Sequence, residues 1–220
     1  MSGETLPAAA ANWLWLADTS RRDRALLVAQ DPDYWGAILR RYFGALDHLS
    51  LGELRSIFAG SGKAAKSPAV DRALPFDSAS FDAVVLPRLL GNWNLIAGRA
   101  EYAGARAAIL RECRRVLRSG GVLVVTGANP QWYAGVHVAR SWMSDLWLRS
   151  AMIGAGFADV REYFADPSDL APRSIIPACR TAAVAFERQE RTMRGRGPRL
   201  LVGLGLHAMA YPARITMAFA

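Results

Sequence analysis

Four acids and one histidine stand at positions where side-chain chemistry is plausible from their neighbours. Asp31 and Asp33 flank Pro32 directly after the apolar run "ALLVAQ" (Ala25–Gln30). Asp47 ends a second run in "FGALDHLS", and Asp71 precedes a third in "VDRALPFDSASFDAVV". His137 shares the segment "NPQWYAGVHVAR" with Tyr133, after a fourth run. A carboxylate at a strand end accepts two donors at once. A histidine on a neighbouring loop is a base near neutral pH. Each residue also has a plainer reading. Asp33 can cap a helix over "YWGAILRRYF" while Asp31 and Pro32 make the bend, and Asp47 can serve turn chemistry before a serine. Asp71 can pair with Arg72, and a lone histidine is commonly a surface or hydrogen-bonded residue.

Such groups need a sheet to position them. Apolar runs rich in Val, Ile and Leu alternate with segments of helical period, the pattern of βαβ units around a largely parallel sheet. Strands are expected at Ala25–Gln30, Phe43–Leu49, Phe81–Pro87, Gly121–Asn129, Ala158–Phe164 and Arg214–Ala220. The Phe81 and Gly121 runs are largely apolar, as in strands covered on both faces. In "EYAGARAAILRECRRVLRSGG", Ala105, Ala108, Ile109, Cys113, Val116 and Leu117 recur at helical spacing. Gly120 and Gly121 are expected to cap that helix. A second helix is expected over "SWMSDLWLRSAMIGAG", ended by Gly154 or Gly156, and "SGKAAKSPA" reads as a surface loop.

The phrase "ALPFDSASFDAVVLPRLLG", followed by "ILRECRRVLRSGGVLVVTGANP", resembles the class I S-adenosylmethionine-dependent methyltransferases of the small-molecule type. In that family the first phrase leads into the fourth strand of the sheet. The second is a helix, a tight glycine turn and the fifth strand. The likeness runs from about Arg24 to Gly156. It implies an α/β fold, a doubly wound, Rossmann-like seven-stranded methyltransferase sheet with an antiparallel last strand. Ligands then bind at the carboxyl ends of the central strands, where the strand order switches. On this reading residues 1–220 are a single domain, with a core of about 24–164 and a C-terminal extension and last strand over 165–220.

The resemblance also implies S-adenosylmethionine as cofactor, with residues to hold it. The family's first motif is an acid followed by a Gly-x-Gly-x-Gly turn, whose glycines open backbone angles and let the cofactor approach the main chain. Val28–Asp33 fill that turn here, and every expected glycine is replaced. Asp31 and Asp33 put carboxylates where the cofactor's own carboxylate and ribose would lie, and Pro32 removes a donor. Asp47 matches the family acid that holds the ribose hydroxyls, and Asp71 the acid that accepts from the adenine amino group. His137 is the candidate catalytic base. "LPRLL" lacks the Asn-Pro-Pro-aromatic signature of members that methylate amines in nucleic acids, and "DPSDLAPRSIIP" faintly resembles members associated with glycan or lipid-linked saccharide modification. Two readings follow. One is a non-catalytic family member with weakened or lost cofactor binding, acting as a scaffold for a protein partner. The other is an active enzyme transferring a methyl group to a small-molecule or glycan hydroxyl.

Composition narrows the alternatives. A net charge of +8 comes almost wholly from arginine, spread along the chain and densest in "ERQERTMRGRGPR". This reads as a solvated basic face, since no zinc finger, helix-turn-helix or RNA-binding aromatic signature accompanies it, and no specific nucleic-acid partner is expected. Two cysteines, Cys113 and Cys179, form neither a disulfide framework nor a zinc site, so no metal is expected. No apolar run approaches the roughly 20 residues of a transmembrane helix. The amino terminus lacks the basic start of a signal peptide, so a cytoplasmic location is expected. "RTMRGRGPRLLVGLGLHAMAY" reads as a loop and helix packed on the core or as a membrane-surface element. The return of the chain into "RITMAFA" favours the former, and peripheral membrane contact stays open.

Overall fold

The computed structural model describes residues 10–17, 21–58, 73–90, 102–129, 148–189, 200–202, 204, 206, 208 and 210–220. A 3-10 turn at Asn12–Leu16 precedes β1 (Arg24–Ala29), α1 (Pro32–Leu39), β2 (Ala45–Ser50), α2 (Leu51–Phe58) and β3 (Phe81–Leu90). Next come α3 (Tyr102–Val116), β4 (Leu117–Ala128), α4 (Leu148–Gly154), β5 (Asp159–Asp166), β6 (Ser174–Pro177), α5 (Arg180–Gln189) and β7 (Ala213–Phe219). The strands form one sheet in the order β2-β1-β3-β4-β7-β5-β6. β1 lies parallel to β2 and β3, and β3 parallel to β4. β7 runs antiparallel to both β4 and β5, so the last strand is the inverted one, as expected. β6 is a short antiparallel addition to β5 that has no counterpart among the expected strands. The strands the resemblance numbers fourth and fifth are the third and fourth here. Residues 59–72, with the expected loop Ser61–Ala69, lie outside the described residues.

Side chains alternate across the central strands, and each face carries its own core. Leu26, Val28, Val84, Leu86, Leu123 and Val125 pack with Leu54 and Phe58 of α2, Ile109 and Cys113 of α3 and Met152 of α4. Leu27, Ala29, Val85, Val124 and Met217 face the other way, against Trp35, Ile38 and Leu39 of α1 and Trp13 of the 3-10 turn. Right-handed crossovers explain the split. The chain moves outward from β1 to β2 through α1, then reverses past β1 to β3 and β4, so α2 and α3 must lie on the opposite face. The reversal leaves a crevice between the carboxyl ends of β1 and β3, the place where such sheets bind ligands.

The opposite, amino end of the sheet is tied by Asp82. Its carboxylate is buried, accepts from the Asp23 and Arg24 backbone N–H groups at 2.9 Å each, and pairs with Arg118 at 2.9 Å. Asp82 is thus a strand-start clamp far from the crevice. The helix before β4 ends earlier than its glycines suggest. α3 stops at Val116 and the strand begins at Leu117, so Gly120 and Gly121 sit inside β4 rather than capping the helix. Gly120 does take a left-handed φ of 77°, beside the register shift between β3 and β4. α4 ends as its glycines suggest. Gly156, at φ 95°, donates to the Ile153 carbonyl and Phe157 to that of Met152, a Schellman cap.

Candidate functional site

At the carboxyl end of β1 the chain passes from buried Ala29 through exposed Gln30 into α1. Pro32 occupies the first helical position, where its missing N–H costs nothing. Asp31 is the N-cap, its carboxylate accepting from the Tyr34 N–H at 3.1 Å, while its carbonyl accepts from Trp35 at 3.3 Å. This corrects the sequence reading in one respect: Asp31, not Asp33, caps the helix, and Asp33 lies in its first turn. The physical reason is the proline. It starts the helix, so the acid before it becomes the cap.

The carboxyl end of β2 is closed in a similar way. Ser50 and Glu53 form a capping box for α2, with Glu53 Oε2 accepting from the Ser50 N–H at 2.7 Å and Ser50 Oγ accepting from the Glu53 N–H at 3.1 Å. Hydrogen bonds from the Ser50 N–H and hydroxyl hold the Glu53 carboxyl below the usual carboxylate range. The S-x-x-E spacing that signals this box was open to sequence reasoning, which passed over it. Asp47 is not at the strand end. It is the third of six residues in β2, opposite Leu26, and its carboxylate pairs with Arg24 at 2.7 Å. Asp31 and Asp47 are therefore not brought together. Asp71 and His137 lie outside the described residues, as do Tyr133 and most of the loops after β3 and β4.

A different group closes the carboxyl ends of β3 and β4. Thr126, fully buried, donates to Asp169 Oδ2 at 2.7 Å and accepts from the Arg88 N–H at 3.3 Å. The Asp169 carbonyl in turn accepts from Trp13 Nε1 at 2.7 Å. Ala11 and Asn12 add bonds to the Leu170 and Pro172 carbonyls. The 3-10 turn and the segment after β5 are thus locked together over the sheet end. Arg88 sits at φ 56° inside β3, where the β3–β4 register shifts. A left-handed non-glycine residue within a strand is a strained position of the kind that clusters at functional sites. Arg88, Ala128, Ser168, Asp169 and Pro212 line a cavity of about 270 Å³. That is just under the roughly 300–1,000 Å³ of small-molecule sites. Thr126, Arg88 and Asp169 were not identified from sequence. Among the described residues no acid, histidine and cysteine cluster is placed to hold a metal ion.

The sheet order and helix placement define a class I methyltransferase fold. The profile of a family described as "Methyltransferase domain" matches residues 60–125, the stretch that includes β3, α3 and most of β4. The crystal structure of a SAM-dependent methyltransferase from Archaeoglobus fulgidus is 12% identical, covers 96% of this chain and 92% of its own, and superposes with a TM-score of 0.54. Two further structures are similar at lower TM-score. One is from the complex between the Haloferax volcanii Trm112 methyltransferase activator and a methyltransferase, at 16% identity, 96% and 88% coverage and TM-score 0.46. The other is a possible histamine N-methyltransferase from Thermotoga maritima, at 13% identity, 95% and 87% coverage and TM-score 0.46. Comparison with curated proteins finds no match. The profile match over residues 60–125 and the fold make the chain similar to class I S-adenosylmethionine-dependent methyltransferases. Fold does not fix activity, which depends on the site.

The turn after β1 does not fit the family's cofactor. A helix N-terminus receives an anion through free N–H groups. Here Pro32 has none, and the Tyr34 and Trp35 N–H groups already bond to Asp31. Asp33 adds a second negative charge in the same turn. No glycine stands between Val28 and Trp35 to let a ligand approach the main chain.

Proposed function

We propose that this chain is a methyltransferase-fold protein that has lost S-adenosylmethionine binding and works in the cytoplasm as a non-catalytic scaffold for a protein partner. The observation that carries this reading is the Asp31 cap: the end of α1 that would receive the cofactor holds the chain's own carboxylate. Thermal unfolding with S-adenosylhomocysteine tests it. A ligand at 100 times its Kd stabilises the native state by about 2.7 kcal/mol. In a chain of this size that raises Tm by roughly 5–10 °C. The proposal expects no change at about 1 mM ligand, a hundredfold excess over a 10 µM Kd.

One observation favours a second reading, an active methyltransferase using S-adenosylmethionine on a small-molecule or glycan hydroxyl. The strained Arg88 and the buried Asp169 face a common cavity at the carboxyl ends of β3 and β4. On that reading Tm rises with S-adenosylhomocysteine, and Asp169→Ala lowers methyl transfer.

A further inference from the structure

Near the amino ends of β1 and β2, away from the crevice, Trp15 is 71% exposed, the most exposed large apolar side chain among the described residues. Its neighbours Trp13 and Leu14 are buried and anchor the 3-10 turn. Trp15 is held in place. The Arg22 guanidinium lies 4.7 Å from its ring centroid, and Tyr42 meets it edge-on at 5.8 Å. Both supports are themselves fixed: Arg22 Nη2 donates to the Leu14 carbonyl at 3.3 Å, and the Tyr42 hydroxyl to that of Ala10 at 3.0 Å. A single exposed apolar side chain needs no explanation, but a tryptophan kept in one orientation with most of its surface in water does.

Charge identifies what covers it. The Gly44 N–H donates to the Arg22 carbonyl at 3.0 Å and the Ala45 N–H to that of Asp23 at 2.7 Å, so the lead-in to β1 and the turn after α1 lie side by side. Residues 21–23 and 40–44 carry four arginines, Arg21, Arg22, Arg40 and Arg41, against one acid, Asp23. Arg21, Arg40 and Arg41 are exposed. Burial pushes the Tyr42 hydroxyl above its ordinary value while the charges of Arg41 and Arg22 pull against the rise, which places both cations around the aromatic pair. Trp, Tyr and Arg carry most of the binding energy at protein interfaces, and an aromatic ring already fixed loses little freedom on being covered. A membrane surface asks for several apolar side chains together. The other exposed large apolar residues among those described, Ile153, Leu200, Leu204 and Leu206, lie on other elements. A nucleic-acid strand asks for successive stacking faces along a basic groove, and a second copy of the chain would set the four arginines against themselves. We propose that Trp15, Tyr42 and the surrounding arginines dock an acidic segment of a partner protein, which lays an aromatic side chain against Trp15. This rests on the scaffold reading for there being a partner, and adds where it sits and what chemistry it carries.

Fluorescence anisotropy on the full chain tests it, with a fluorescein-labelled copolymer of glutamate and tyrosine as the probe. At about 0.1 M salt, wild-type protein should bind the copolymer saturably, and more tightly than polyglutamate of the same length, which has the charge without the rings. Trp15→Ala should weaken copolymer binding about tenfold or more, and Trp15→Phe should keep most of it. Arg21→Glu combined with Arg40→Glu should weaken it about tenfold and flatten its salt dependence. Arg111→Glu reverses an exposed charge on α3, across the sheet from α1, and should bind as wild type does. Trp15 is largely exposed, so Trp15→Ala should lower Tm by no more than about 4 °C, which separates a lost surface from lost folding. The proposal is overturned if wild-type protein does not bind the copolymer, if Trp15→Ala binds as tightly as wild type, or if Arg111→Glu costs as much as the paired substitution. It is equally overturned if phosphatidylglycerol vesicles or single-stranded DNA bind more tightly than the copolymer in a Trp15-dependent way, or if sedimentation equilibrium shows a dimer that Trp15→Ala dissolves. A rise in Tm with S-adenosylhomocysteine would overturn the scaffold reading alone, whereas absence of copolymer binding without such a rise would overturn the docking surface alone.

Discussion

Replacing Thr126 by valine removes one hydroxyl from the lock over the carboxyl end of the sheet and changes almost nothing else. Valine has the same shape, so no cavity opens. The lost bond to Asp169, 2.7 Å long and made to a charged acceptor in a buried site, is worth about 1.5–3 kcal/mol. The longer bond from the Arg88 N–H, at 3.3 Å, adds about 0.5 kcal/mol. Burying a methyl in place of the hydroxyl recovers about 0.8 kcal/mol. The net cost is about 2 kcal/mol, a large share of the roughly 5–15 kcal/mol that holds a domain folded. Urea unfolding followed by tryptophan fluorescence measures it. With m near 2 kcal/mol/M the midpoint should fall by about 1 M at unchanged m. Asp169→Asn keeps an oxygen that accepts from Thr126, so it should cost less than Thr126→Val. A Thr126→Val midpoint equal to or above wild type would refute the lock.

Other consequences follow from burial and charge. A Cβ on Gly121 would lie 3.0 Å from the Arg118 carbonyl and 3.1 Å from that of Asp82, so Gly121→Ala should destabilise the chain by about 1–3 kcal/mol in the same urea assay. Burial pushes the Glu112 carboxyl up, but hydrogen bonds from Arg115 and the Leu74 N–H outweigh it and hold it below its ordinary value. A depressed carboxylate stabilises above its unfolded pKa and loses that contribution as pH falls through the folded value. Melts between about pH 7 and pH 3 should therefore show the wild-type advantage over Glu112→Gln shrinking below about pH 4.5. Burial raises the Cys113 thiol to about 12, whereas Cys179 is exposed. A thiol reagent should label one cysteine in native protein and the second only on unfolding.

How much of this was legible in the sequence depends on how local each signal is. β3 and β4 are buried on both faces from Phe81 to Pro87 and from Gly121 to Gly127, so apart from Asp82 and Thr126 each appears as a continuous apolar run. β6 is only four residues, "SIIP", too short for a period, and it pairs because β5 presents an edge. The missing glycines after β1 were visible at once, and with them the doubt about the cofactor turn. The choice between Asp31 and Asp33 as cap turned on recognising Pro32 as the first helical residue. Asp47 looked terminal because its strand was expected to end at Leu49, two residues beyond it, whereas the real strand runs to Ser50 with Asp47 in its middle. The lock over β3 and β4 was beyond sequence reasoning. Thr126 and Asp169 are 43 residues apart, and Trp13 and Asp169 are 156 apart. Only the folded sheet brings them into contact.

The central claim is that the capped turn after β1 no longer takes the family's cofactor. Titration calorimetry of wild-type protein with S-adenosylhomocysteine, beside the variant Ala29→Gly, Asp31→Gly, Asp33→Gly, tests it most directly. The account predicts no heat from wild type up to about 1 mM ligand, where a Kd of 1 mM corresponds to only about −4.1 kcal/mol of binding. Saturable micromolar binding by wild type, abolished in Asp47→Ala, would contradict it.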